Sequence, residues 1–154
     1  MNKIATMVSY LGMLVIAVLT VLTGIDVVGR YAFNSPLPGA FELTEAIMAL
    51  AVAFGIVVTT AKDEHINVDA LFVKLPAFWQ RVLLLLAAII GVLVFGVMFW
   101  KGTEAGIDAV RSSETTTLLH VPISPFKFAL AAAFLISVLF LIRQIVRLLR
   151  KERG

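Results

Sequence analysis

Apolar residues along this chain fall into four uncharged runs separated by short polar stretches. The first, Ile4 to Ile25, has 22 residues. At about 1.5 Å per helical residue it covers a hydrocarbon core of about 30 Å. The second, Ala46 to Ala61, has 16 residues, which is only about 24 Å of helix. That helix must begin near Phe41 and carry Glu42 and Glu45 into the headgroup zone. The third, Val82 to Trp100, has 19 residues and is bracketed by Trp79 and Trp100, side chains suited to the membrane–water boundary. The fourth, Phe128 to Ile142, has 15, so Lys127 or Arg143 must extend its long side chain to the interface. The pattern predicts an all-α integral membrane protein. Its single domain, residues 1–154, has four spans at about residues 4–29, 41–61, 79–101 and 123–149.

Turn chemistry joins the first two spans. Asn34-Ser35-Pro36-Leu37-Pro38-Gly39 favours a tight helical hairpin. The first run exceeds the roughly 7–15 apolar residues of a signal-peptide core and precedes no small-x-small cleavage site, so it is expected to stay as a helix. Residues 62–80 mix Asp63, Glu64, His65, Asp69 and Lys74 with Ile66, Val68, Leu71, Phe72 and Val73. That mixture predicts a short amphipathic segment on the inner membrane surface between helices two and three. Between the third and fourth spans, Glu104, Asp108 and Arg111 stand at helical spacing ahead of a Ser/Thr run and Leu118-Leu119.

Composition sharpens this picture. Sixty per cent of the 154 residues are hydrophobic and 15% charged, against roughly 25% charged in a soluble protein. The mean hydropathy is +1.00. A soluble domain of this size could not hide so much apolar surface, so soluble enzymes and secreted modules are excluded. With no cysteine there is no disulfide and no thiolate chemistry. The net charge of +3 concentrates in Arg143, Arg147, Arg150, Lys151 and Arg153. A basic tail beside an apolar helix is a membrane-surface anchor toward anionic lipids rather than a nucleic-acid surface. Placing both termini in the cytoplasm puts Lys3, Lys62, Lys74, Arg81 and the five tail residues inside. Only Arg30, Lys101, Arg111 and Lys127 are then outside, which is the orientation the positive-inside bias favours.

Few residues could carry chemistry. Asp26 and Arg30 stand four apart with the acid first, the favourable order for an ion pair within a helix. Glu42 and Glu45, one turn apart, are both placed to approach Arg30 across the hairpin. Each could lock that hairpin, carry a cation, or meet a basic residue of a partner. Glu45 also starts a row with Ala49 and Ala53. Ala87 with Gly91, and Ala129 with Ala133 and Ser137, form similar rows of small residues that let helices approach closely. His65 among its acids and His120 lack the spacing of metal ligands. The hydroxyls of Ser113 and Thr115–Thr117 have no base nearby, and no phosphate-binding loop occurs. No catalytic residue, metal site or cofactor site is predicted.

In order along the chain stand Arg30-Tyr31-x-Phe33-Asn34-x-Pro36-Leu37-Pro38-Gly39, then Glu42-Leu43 and Glu45. Gly55, His65-Ile66-x-Val68-Asp69, Leu75-Pro76, Thr117-Leu118 and Val121-Pro122-Ile123 follow. This series resembles the small membrane subunit of tripartite ATP-independent periplasmic (TRAP) transporters, the DctQ-like family. The resemblance runs from Arg30 into helix four. It implies an accessory scaffold of a secondary transporter in the bacterial inner membrane. Its implied partners are a large multi-span transport subunit and a periplasmic substrate-binding protein, together taking up an organic acid with sodium. On that reading Asp26, Arg30, Tyr31, Glu42 and Glu45 are hairpin or subunit contacts. Trp79, Trp100, Arg143, Arg147 and Arg150 are interfacial anchors. Two other classes fit the composition: a self-sufficient four-helix exporter acting as a dimer, and a membrane assembly protein outside transport. Known small exporters place a glutamate deep in the first helix. Here no acid precedes Asp26.

Overall fold

A computed structural model describes residues 3–61 and 76–150. The predicted amphipathic segment at residues 66–75, His65 and the end of the basic tail lie outside the described residues. The described residues form four helices: α1 (Lys3–Ala32), α2 (Ala40–Ala61), α3 (Ala77–Arg111) and α4 (Ser124–Arg150). All four are long and apolar enough to cross a membrane. With no water in the bilayer core, a helix satisfies every backbone hydrogen bond within its own segment, so apolar runs of this length fold this way.

The helix α3 does not stop at Lys101, where the sequence pattern ended the span. It continues through Glu104 and Asp108 to Arg111. Trp79 and Trp100, both exposed, stand 21 positions apart, about 31 Å along the helix, the thickness of a hydrocarbon core. The last three turns therefore project past the aromatic boundary. They remain packed, for Ala109 is buried and Gly106 lies against the Phe128 ring of α4.

The helices stand in an open row rather than a closed ring. Contact is extensive between α1 and α2, between α2 and α4, and between α4 and α3, with none of comparable extent between α1 and α3. The spatial order is thus α1–α2–α4–α3, with α4 inserted between its predecessors. The α3–α4 seam is built on small residues. Gly91 lies against Leu141 and Gly102 against Ala131, while Phe95 stacks on Phe134 with ring centroids 5.9 Å apart. At the α2–α4 crossing Ala53, Val57 and Ala133 form a core flanked by Val8, Leu130 and Phe140. Ser137 is fully buried there and donates its hydroxyl to the Ala133 carbonyl at 2.9 Å. In lipid, where apolar burial gains little, close backbone approach at alanine and glycine supplies the packing that holds helices together.

Candidate functional site

One end of the row gathers most of the polar side chains that the sequence singled out, and it is assembled from the α1–α2 hairpin and the loop before α4. The hairpin turns tightly because the Gly29 carbonyl accepts from both Phe33 N (3.3 Å) and Ser35 N (2.9 Å). A Cβ on Gly29 would sit 2.8 Å from the Ser35 carbonyl oxygen, so this reversal requires the absence of a side chain. Asn34 takes the left-handed conformation at φ 50°, which asparagine tolerates better than most residues. Asp26 fixes the turn from below. Its carboxylate accepts from the Arg30 guanidinium at 2.8 Å and from Leu37 N at 3.0 Å. The Asp26 side chain is 14% exposed and that of Arg30 57%, so the acid is the sheltered partner.

The loop from residue 112 to 123 is equally ordered. The end of α3 closes with Ser113 N donating to the Val110 carbonyl and Glu114 N to the Ala109 carbonyl, with Ser113 at φ 50°. That is a Schellman cap with serine at the position glycine usually takes. The chain then folds back on itself. Thr115 and Pro122 form an antiparallel bridge, Thr116 N donates to the Val121 carbonyl, and Val121 N donates to the Thr116 hydroxyl. Lys127 on α4 reaches back to Glu114 at 2.7 Å.

Glu42 joins the two pieces. Its two carboxylate oxygens accept from Leu118 N at 2.7 Å and Leu119 N at 3.0 Å. Standing in the first turn of α2, the carboxylate also lies where the helix dipole favours negative charge. Beneath this clamp Leu119 packs on Gly39, which is held at φ 74°. The expectation that Glu42 approaches Arg30 gives way to this geometry, because Asp26 holds the guanidinium and the loop amides hold Glu42. Glu45 is exposed and has no hydrogen-bond or ion-pair partner among the described residues. It shares an exposed stripe of α2 with Phe41, Met48 and Val52. Tyr31 is 84% exposed. Arg143, Arg147 and Arg150 are exposed at the opposite end of the row.

Among the described residues no group of three His, Asp or Glu side chains could hold a metal ion. The arrangement joins the hairpin backbone to the loop backbone. What it can do chemically is fix one rigid polar end of a membrane helix array and present an unmatched carboxylate beside it.

The profile of the family described as "Tripartite ATP-independent periplasmic transporters, DctQ component" matches residues 4–151. The chain belongs to the DctQ family. A Haemophilus influenzae protein that carries the name TRAP transporter small permease protein is 30% identical over 69 residues, 45% of this chain and 43% of that protein. The chain thus aligns with less than half the length of that relative. Membership of DctQ, a family of transporter components rather than of enzymes, indicates the small membrane component of a TRAP transporter. With its four apolar helices, this DctQ protein is a multi-pass protein of the bacterial inner membrane.

Several structural residues escaped the sequence reading. Gly29, Gly102 and Gly106 sit at close approaches, and only their positions in the fold distinguish them from other glycines of apolar helices. The backbone amides of Leu118 and Leu119, the partners of Glu42, carry no signal in sequence at all. The Glu114–Lys127 pair spans 13 positions and a chain reversal, so periodicity could not have paired them.

Proposed function

We propose that this chain is a stationary scaffold of a TRAP-type secondary transporter. It pairs with a large multi-span transport subunit, and a periplasmic substrate-binding protein delivers an organic acid to the pair for sodium-coupled uptake. The observation that carries this reading is the DctQ match across residues 4–151. The open helix row supports it, since four helices in a row enclose no path across the membrane and leave the outer flanks of α1 and α2 to face a neighbour.

In this reading both termini are cytoplasmic, as the distribution of basic residues favours, and the end bearing the Glu42 clamp faces the periplasm. Residues 66–75 lie along the inner membrane surface, and the basic tail rests on anionic lipid headgroups. Arg30, Tyr31 and Glu42 shape the periplasmic end, Asp26 supports Arg30, and Glu45 meets a basic side chain of the large subunit. An unpaired carboxylate near the start of a span is costly unless a cation approaches it, and the exposed stripe around Glu45 gives a partner helix access.

The test is affinity purification of the tagged chain, co-expressed with its native gene neighbourhood, from mild detergent, with partners identified by mass spectrometry. The expected result is a one-to-one complex with a large multi-span protein, whose coupled uptake stops when this chain is deleted. A homodimer that alone moves a cation across liposomes would overturn the proposal. So would normal uptake by the large subunit in the absence of this chain.

A further inference from the structure

The end of the row opposite the Glu42 clamp carries an apolar groove of about 330 Å³ between α3 and α4. Its walls include Phe78, Leu85 and Ile89 from α3 and Leu148 and Leu149 from α4, and Arg81 stands among them. Two features give the groove a direction and a length. Phe78 and Trp79, both exposed and edge-to-face with centroids 5.9 Å apart, mark the headgroup level at its mouth. From Phe78 to Ile90 the groove follows α3 for about 18 Å, the depth of one leaflet of a core about 30 Å thick. Ile90 ends it, and a neighbouring groove of about 390 Å³ lies where Gly91 faces Leu141, with Val94 and Phe95 among its walls.

Charge supplies the second argument. Arg81 has no ion-pair partner among the described residues. The same end of the row carries Arg143, Arg147 and Arg150 of α4, a helix without a single acid, and the first acid of α3 is Glu104, near the far end. Among the described residues, the charged side chains of α3 and α4 at this end are therefore all basic, while the groove walls are apolar.

We infer that this groove is a binding site for one anionic phospholipid of the surrounding leaflet, with an acyl chain along Leu85 and Ile89 and the phosphate at Arg81. An apolar slot one leaflet deep beneath a guanidinium with no acidic partner among the described residues complements that molecule in both shape and charge. The site is separate from the TRAP assignment and survives if that assignment fails.

The experiment is native mass spectrometry of the full chain in mild detergent with equimolar phosphatidylglycerol and phosphatidylcholine of identical acyl chains. One phosphatidylglycerol is retained, with a preference of about fivefold, the effect expected of one basic side chain at an anionic membrane surface. Arg81→Gln levels the two lipids. Leu85→Trp, which fills the slot, lowers retention of both. Arg111→Gln, at the far end of α3, leaves the preference intact. Helical circular dichroism confirms each variant's fold, and Arg81→Gln decides alone if Leu85→Trp does not fold. Equal retention by the wild type, or a preference that survives Arg81→Gln, overturns the proposal. A photo-reactive residue at Leu85 in native membranes that joins to a polypeptide rather than a phospholipid overturns it as well.

Discussion

Replacing Gly39 by alanine tests the junction between the hairpin and the outer loop at one backbone position. Gly39 is held at φ 74°, a conformation that costs an L-residue about 1–2 kcal/mol. The added Cβ would stand 2.5 Å from Leu119 Cγ, so the leucine must leave its place. Leu119 is 38% exposed and can swing outward, at about 0.5–1.5 kcal/mol for an unfavourable rotamer. Together the two terms come to about 2–3 kcal/mol, which lowers the melting temperature by roughly 4–10 °C for a chain of this size. Thermal unfolding followed by helical circular dichroism in mild detergent measures it. Gly55→Ala is the control, since no atom lies within 4 Å of the added Cβ; it is expected to be neutral or slightly stabilising. The double variant Gly39→Ala with Leu119→Ala separates the two terms, because it removes the collision and leaves the backbone cost. An unchanged melting temperature in Gly39→Ala would refute the reasoning. If the double variant melted no lower than Leu119→Ala alone, the left-handed backbone would carry no cost and that half would fail.

Glu42→Ala frees the Leu118 and Leu119 amides, so hydrogen exchange at those two positions should accelerate by about tenfold or more; exchange along the Phe95–Phe134 seam should not change. Ser137→Ala removes one bond within the helix and is expected to cost at most about 1 kcal/mol. Ser137→Leu overpacks the α2–α4 crossing and should cost about 1–3 kcal/mol in the same melting assay. Glu45→Ala should reduce the yield of the co-purified complex while leaving the melting temperature of the isolated chain within error. An undiminished yield would remove Glu45 from the subunit contact.

The four helices were legible because uncharged runs of 15 to 22 residues have few alternatives to a span. The far end of α3 was legible only in part: Lys101 ended the uncharged run, while the helical spacing of Glu104, Asp108 and Arg111 did not tell whether they continued the same helix, as they do. Lipid sets the apolar length, whereas local backbone preference and packing on α4 set the helical length. The rows of small residues located surfaces of close approach but not their partners. Gly91 proved to be a half-buried close approach to Leu141 and Ser137 a fully buried residue, yet a row on one helix says nothing of which neighbour fills it. Asp26 and Arg30 could be paired by spacing alone, since four positions bring side chains together on any helix. Glu42 could not be assigned in that way, as its partners are amides 76 and 77 positions away.

The row order α1–α2–α4–α3 has a consequence for biogenesis. A chain leaves the ribosome from its N-terminus, so α3 enters the bilayer before the helix that will tie it to the others exists. Until α4 follows, the α1–α2 hairpin and α3 share no extensive surface and are joined only by the chain between Ala61 and Ala77. Insertion of α4 is therefore the step that packs α3 onto the hairpin, converting two tethered pieces into one body. A nascent chain that stops between Arg111 and Ser124 keeps the α1–α2 packing but lacks the helix that binds α3 to it.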